Sequence, residues 1–315
     1  MTGAIDTRAG FAAGIGAPNA GTSTLVNRLV GSKVSIVTQK VQTTRFPVRG
    51  VAMEGRSQIV LVDTPGVFSP RRRLDRAMVR AAWNGAEDAD AVVHLVDARA
   101  EMAAEDGEAK GADRLAVEDT RTVIEGLKKA GLHAILAVNK IDGVKRERLL
   151  AITKALFDSG AYNEAFMISA TKGDGVGHLK TRLAALMPEG PFLYPEDQLA
   201  DVPARLLASE LTREKLYLRV HDELPYAAHV ETTAYTMKKD GSARIEQTIF
   251  VERESQKGIV VGAGGQTLKW IGQASREELT EILGHPVHLF LHVQVRETWA
   301  EERGAFEGLG LDFDV

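Results

Sequence analysis

The chain has 315 residues, 44% of them hydrophobic and 26% charged, with a formal net charge of −4 and no cysteine. This length predicts two domains, and the missing cysteine excludes disulfides and thiolate zinc sites while being compatible with a reducing, cytosolic setting. The charge excludes a broadly basic nucleic-acid binder, no apolar run approaches bilayer length, and Met1-Thr2-Gly3-Ala4-Ile5-Asp6 lacks the basic and apolar regions of a signal peptide.

The first part alternates short apolar runs with helical patterns, which predicts a mostly parallel sheet flanked by helices. Strands are expected over Phe11–Ile15, Val48–Met53, Gln58–Val62, Ala91–Val96, Ala134–Val138 and Ala165–Ile168, and helices starting near Ser23, Arg73, Leu115, Lys145 and Gly177. The run Arg99–Asp113, rich in Ala, Glu, Asp and Gly, reads as a mobile insertion with its charges toward water. Pro188-Glu189-Gly190-Pro191-Phe192-Leu193-Tyr194-Pro195 reads as a linker stiffened by three prolines. An amphipathic helix is expected over Val202–Val220. Alternating strands follow over His229–Met237 and Ala243–Arg253, joined through the hairpin signal Lys239-Asp240-Gly241. Next come Gly262-Ala263-Gly264-Gly265, a helix through Leu283, a break at Gly284-His285-Pro286 and a strand over Val287–Val295. The order α-β-β-α-α-β is a separate α+β module.

Gly16-Ala17-Pro18-Asn19-Ala20-Gly21-Thr22-Ser23-Thr24 has the spacing of a phosphate loop, with Thr22 where G-x-x-x-x-G-K-[ST] carries lysine. Backbone N–H groups of such a loop and the helix start behind it favour phosphate, and Ser23 is placed to offer a hydroxyl to Mg2+. Asp63-Thr64-Pro65-Gly66 ends an apolar strand and is followed by Val67. The Asp63 carboxylate can reach a magnesium shell, and the Gly66 N–H a γ-phosphate. In Asn139-Lys140-Ile141-Asp142 the Asp142 carboxylate suits guanine N1–H and N2–H2, a donor pair adenine lacks. Asn139 ties loops together, the Lys140 stem covers the base, and Ser169-Ala170 offers a backbone N–H to guanine O6. Each motif alone is weak; in this order, at strand ends, they indicate a guanine-nucleotide site. Between them Ser35–Arg45 holds a candidate switch in which Thr43 or Thr44 would ligate magnesium.

With Gln42-Thr43-Thr44-Arg45, Asp63–Gly66, Asn139–Asp142, Asp222-Glu223-Leu224-Pro225-Tyr226, Val251-Glu252-Arg253 and Gly262–Gly265, the chain resembles the bacterial Era-type GTPases nearly end to end. The resemblance implies an α/β P-loop G domain of the Ras-like kind over residues 1–187, a linker over 188–201, and an α+β type II KH domain with a C-terminal tail over 202–315. It implies GTP or GDP with Mg2+ as ligands, slow GTP hydrolysis, and assistance to small ribosomal subunit assembly through the 3′ region of 16S rRNA. It also implies a cytoplasmic protein loosely associated with the inner membrane. Lys257, Gly262, Ala263, Gly264, Gly265 and Lys269 are the RNA candidates, since KH loops clamp a nucleic-acid backbone.

Three departures bear on activity. Thr22 replaces an ammonium that follows charge developing on the phosphates, so phosphate affinity or rate should fall at least about tenfold. Lys33 and Lys40 are candidates to compensate. Ala263 and Gly264 leave the G-x-x-G loop uncharged, which lowers its attraction for phosphate. Val67 stands where Ras-like enzymes place a water-orienting glutamine, so no catalytic base is assigned. The alternative to a slow GTPase is an RNA-binding assembly factor whose G domain does not hydrolyse. His288 and His292 share a strand face without a third ligand, Arg71-Arg72-Arg73 and Glu301-Glu302 read as solvated faces, and Trp299 and Phe313 as packing on the KH fold.

Overall fold

The computed structural model describes residues 6–40, 42–220 and 224–315; Met1–Ile5, Val41 of the switch segment, and Asp222 and Glu223 of the motif quoted above lie outside them. The chain divides into two compact units. The first comprises the residues through Ser35, Thr44–Asp201 and Leu309–Val315; the second comprises Ile36–Thr43 and Val202–Gly308.

The first unit runs β1 (Arg8–Gly16), α1 (Thr22–Val30), β2 (Val48–Glu54), β3 (Ser57–Asp63), α2 (Arg73–Glu87), β4 (Ala91–Asp97), α3 (Ala98–Glu105), α4 (Ala112–Ala130), β5 (Ala134–Asn139), α5 (Arg146–Phe157), β6 (Tyr162–Met167), α6 (Val176–Leu186) and β7 (Ala200–Asp201). Its seven strands lie in the order β6-β5-β4-β1-β3-β2-β7, parallel except at the β3–β2 and β2–β7 pairs. One face buries Leu25, Val26 and Leu29 of α1 with Leu179 and Leu183 of α6. The other buries Ala82 and Ala86 of α2, Val123 and Leu127 of α4, and Ile152 and Leu156 of α5. A strand covered on both faces must read as an unbroken apolar run, which is why Ile59–Val62 and Ala134–Val138 stand out in the sequence. Phosphate loop, Asp63 and Asn139 all fall at carboxyl ends of parallel strands, where such sheets bind ligands.

Arg99–Asp113 departs from expectation: its first half is helix α3, with Ala98, Ala100 and Glu101 buried. Asp97 caps it, its side chain accepting from the Arg99 and Ala100 amides, and Arg121 of α4 forks onto Glu101 at 3.2 and 2.7 Å. β6 begins at Tyr162, three residues before the expected Ala165. Phe313, expected on the KH fold, belongs to the first unit, where it lies under Arg73 of α2, 4.4 Å from guanidinium to ring centroid.

The second unit contains α7 (Ala204–Arg219), β8 (Ala228–Met237), β9 (Ala243–Val251), α8 (Glu254–Val261), α9 (Gln266–Leu283), β10 (Val287–Val295) and α10 (Arg303–Gly308). Its sheet is ordered β10-β9-β8, with β9 antiparallel to β8 and parallel to β10. Leu216, Val230, Ile249, Val260 and Ile271 form one core cluster; Ile36 joins Ala208, Leu211, Ile245 and Leu279 in a second. Trp299 is buried and donates its indole N–H to Ala227 O at 3.0 Å, as expected of a KH-packing residue. Glu302 pairs with Arg296 rather than lying on a purely solvated face.

Candidate nucleotide-binding site

The phosphate loop is shaped by backbone that tolerates no side chain at two places. A Cβ on Gly16 would lie 2.6 Å from Leu95 O and 3.2 Å from Ala20 Cβ. Gly21 has φ 108°, and a Cβ there would run into the Asn139 amide. Asn19 also has positive φ, at 66°. Ala17 and Ala20 are buried, and Pro18 and Asn19 lead into Gly21, the residue that caps α1. Gly21 offers α1 no side-chain cap, so the first-turn N–H groups of Thr22, Ser23 and Thr24 lack that partner at the positive end of the helix dipole. Three bonds fix what lies behind the loop: Val67 N–H to Gly16 O at 2.9 Å, Thr64 Oγ1 to Gly14 O at 2.8 Å, and Asn139 Nδ2 to Ala20 O at 2.7 Å. Pro65 and Gly66 follow Thr64, and a Cβ on Gly66 would meet Pro18 at 3.0 Å.

Asp63 is 0% exposed. Thr44 Oγ1 lies 3.4 Å from its Oδ2 and 2.9 Å from Ser23 Oγ, whereas Oδ1 has no hydrogen-bond partner among the described residues. Burial pushes its pKa up to about 6, against the opposing pull of the hydroxyls of Ser23, Ser35, Thr22 and Thr44. A buried carboxylate with an unpaired oxygen among hydroxyls is costly by itself and well matched to a hard divalent cation, so these residues fit Mg2+. Thr43 does not join them: its Oγ1 bonds Thr38 Oγ1 at 2.6 Å and Lys40 O at 2.7 Å within the second unit. Lys40 itself donates to Val220 O. Upstream, Asn27 Oδ1 accepts the Val34 and Ser35 amides at 2.8 and 2.9 Å and its Nδ2 donates to Ser35 O at 2.8 Å.

At the base end, Asn139 is 2% exposed and accepts Ala170 N–H at 3.0 Å while donating to Ala20, so one side chain ties three segments together. Lys140 has φ 63° and puts Nζ 2.5 Å from Asp97 Oδ2. Asp142 Oδ1 accepts Ser169 Oγ–H at 2.9 Å and Oδ2 accepts Arg99 Nη2–H at 2.7 Å. The Ser169 bond chiefly holds this carboxyl below the usual range, with help from its own backbone, Arg99 and Lys172. Sequence reasoning missed Asn27, Asp97 and Arg99. Asp97, directly before a helix, carries an N-cap signal; Arg99 carries none.

In the second unit, Gly262, Gly264 and Gly265 have φ of 74°, 58° and 78°, and Ala263–Gly265 makes one 3-10 turn between α8 and α9. A Cβ on Gly262 would meet Thr267 N at 3.0 Å. Lys257 lies 3.9 Å from Glu254, and Ala263, Gly264 and Lys269 are exposed. Trp270 and Ile259 are also exposed, with Arg219 stacked 5.4 Å from the Trp270 ring centroid. His288 and His292 are exposed on β10, and no group of three metal-ligating side chains occurs among the described residues.

A model of the 50S ribosome-binding GTPases matches residues 11–140, and a KH domain model matches residues 223–300. The chain is 70% identical to GTPase Era of Caulobacter vibrioides over 98% of each chain, and 59% identical to GTPase Era of Maricaulis maris with the same coverage. A crystal structure of an Aquifex aeolicus Era variant bound to GDP and aluminium fluoride superposes with a TM-score of 0.85 at 33% identity, covering 96% of this chain and 99% of that one. An Era structure holding MgGDPNP and nucleotides 1506–1542 of 16S ribosomal RNA gives the same TM-score, identity and coverage. A G domain followed by a KH domain, with 70% identity to a GTPase Era over 98% of each chain, places this chain in the GTPase Era family.

Proposed function

We propose that this protein binds GTP and GDP with Mg2+, hydrolyses GTP slowly, and couples the bound nucleotide to recognition of 16S rRNA during small-subunit assembly. The observation that carries the reading is the triple tie of Asn139, which joins the phosphate loop to the base loop beside a buried Asp63 with an oxygen unpaired among the described residues. We assign the G domain to residues 1–187, the linker to 188–201 and the KH domain to 202–308, with the C-terminal tail grouped with the first unit. Gly16 to Thr24, with Gly66, cradle phosphate through backbone N–H groups; Asp63–Val67 sense the γ-phosphate; Asn139, Lys140, Asp142, Ser169 and Ala170 surround guanine. Ser23, Asp63 and Thr44 would hold the magnesium ion, and their proximity supports Thr44 over Thr43. Held there, magnesium would supply positive charge to offset the phosphate oxygens. Val67, buried and bonded to Gly16, presents no side chain able to orient water, which supports slow turnover that a partner accelerates. Lys257, Gly262–Gly265 and Lys269 contact the RNA backbone, and the related Era bound to 16S nucleotides supports that choice of partner.

One observation favours a second reading. Thr22 stands where the motif has an ammonium, so the site offers less positive charge to developing anions. In that reading the G domain binds nucleotide without turnover and the protein acts as an RNA-binding assembly factor. Phosphate release from GTP, compared for wild type and Thr22→Lys with and without small subunits, separates the two. The GTPase reading expects measurable wild-type release that small subunits increase, and at least about tenfold tighter GTP binding by the variant. Release by Thr22→Lys alone would establish the second reading. Attachment to the inner membrane is the remaining part of the proposal; no described helix is long and apolar enough to cross a membrane, so attachment would be peripheral. Co-sedimentation with anionic vesicles tests it.

A further inference from the structure

The carboxylate assigned to guanine is already engaged by a cation of its own chain. Arg99 Nη2 lies 2.7 Å from Asp142 Oδ2 at the protein surface, with the arginine side chain 50% and the aspartate side chain 20% exposed. The placement is built by several residues. Asp97 Oδ1 caps the α3 backbone at Arg99 N, 3.0 Å away, and Lys140 grips the other oxygen of Asp97, so the start of α3 is tied to the base loop. Gly143 completes the slot. A Cβ there would lie 2.5 Å from Arg99 Nε and 2.9 Å from both Cζ and Nη2, so the guanidinium lies flat against a residue that leaves it room.

Guanine presents Asp142 with N1–H and N2–H2 around C2, which is itself a guanidine unit. The Arg99 side chain presents the same group, planar and with parallel donors. We infer that Arg99 is an internal stand-in for guanine, occupying the Asp142 carboxylate in the nucleotide-free protein and leaving it when the base enters. The inference rests on the guanine-nucleotide reading above and adds a gate to it. Ser169 holds Oδ1 throughout, so the carboxylate stays oriented while Oδ2 exchanges one guanidine for another. Adenine has no matching donor pair and cannot displace the arginine in this way. Arg99 therefore lowers the rate at which guanine nucleotides enter and raises the threshold for wrong bases. It is a positioning residue, not a catalytic one.

The test is stopped-flow binding of a fluorescent GDP to wild type, Arg99→Ala and Arg99→Lys, with ADP as competitor, at low and high salt. A half-exposed ion pair is worth a factor of about two to five, so Arg99→Ala should associate about two- to fivefold faster. Its dissociation rate should be unchanged, because Arg99 has left the carboxylate in the complex. Arg99→Lys, which keeps the charge without the fork, should fall between. The difference should shrink at 1 M salt, where screening acts within about 3 Å. A purely structural role for Arg99 would instead move thermal stability and the dissociation rate. Unchanged or slower association of Arg99→Ala, or faster dissociation, overturns the gate while leaving guanine recognition standing. GDP binding to wild type no better than ADP removes guanine recognition and the gate together.

Discussion

Replacing Asn139 by alanine removes both hydrogen bonds that join the phosphate loop to the base loop: the 2.7 Å bond to Ala20 O and the 3.0 Å bond from Ala170 N. Both backbone partners are buried, so each is left with an unmet hydrogen-bonding requirement of about 1–3 kcal/mol. Partial relaxation, or water entering the space of the lost amide, returns some of this, and we expect a net loss of roughly 3 kcal/mol from the first unit. For a domain of this size that corresponds to a melting temperature about 6–12 °C lower. The assay is thermal and urea unfolding without nucleotide, in protein whose Trp270 and Trp299 are replaced by Phe, so that Trp83 alone reports on the first unit. Guanine-nucleotide affinity should fall in parallel, because the loops lose their mutual alignment. A loss below about 1 kcal/mol, or a normal affinity in the destabilised variant, would refute the view that Asn139 couples the two halves of the site.

Three further outcomes are expected. Burial, assisted by the nearby Arg121 charge, lowers the His94 pKa from 6.5 to about 3, and its Nδ1 pairs with Tyr162 Oη at 2.8 Å. A depressed histidine gives its full contribution above pH 6.5 and loses it as pH falls toward 3, so acidification from pH 8 to pH 5 should cost about 2 kcal/mol through this group. The double variant His94→Leu with Tyr162→Phe should lose that much less stability over the same interval in urea unfolding. The raised pKa of Asp63 acts in the opposite direction, its penalty easing as pH drops through 6, and cancels because both proteins carry it. Gly126→Ala places a methyl against the Trp83 ring, which packs flush on that glycine, and should destabilise the first unit by about 1–3 kcal/mol in the same assay despite alanine's better helix propensity. Lys257→Ala with Lys269→Ala should weaken binding of a single-stranded 16S rRNA fragment and reduce the slope of log affinity against log salt by about 1.4, read by fluorescence anisotropy. An unchanged slope would take both lysines off the phosphate path.

The parts of this fold legible in the sequence are those where local pattern and burial agree. Ile59–Val62 and Ala134–Val138 are covered on both faces and read as apolar runs, and β10 spans Val287–Val295 with its alternation ending at Pro286 and Arg296. The first strand was harder, since Gly10, Ala12, Ala13 and Gly14 give little β-signal. A Cβ on Gly10 would lie 2.5 Å from Asp90 and 2.7 Å from Pro188, neighbours far away in the chain. Helix α3 was hidden for the same kind of reason. Its composition is that of a solvated loop, and what buries Glu101 is Arg121, twenty residues further on. In the proposed nucleotide site, the motifs mark the groups assigned to ligand but not the side chains bonded behind them. Arg99 and Asn27 are placed by geometry that no spacing encodes, and what sets Thr44 apart from Thr43 is its bonds to Ser23 and Asp63.

The side chain of Asn27 closes three bonds with the backbone of Val34 and Ser35, at 2.8 to 2.9 Å. A flexible segment changes conformation most sharply when its stem is clamped, because disorder then stops at a defined residue instead of fraying back into the preceding helix. Asn27 thus acts as a fixed pivot after α1. Rearrangement of the following stretch need not unwind α1, so the proposed phosphate cradle would keep its shape while the candidate switch segment changes.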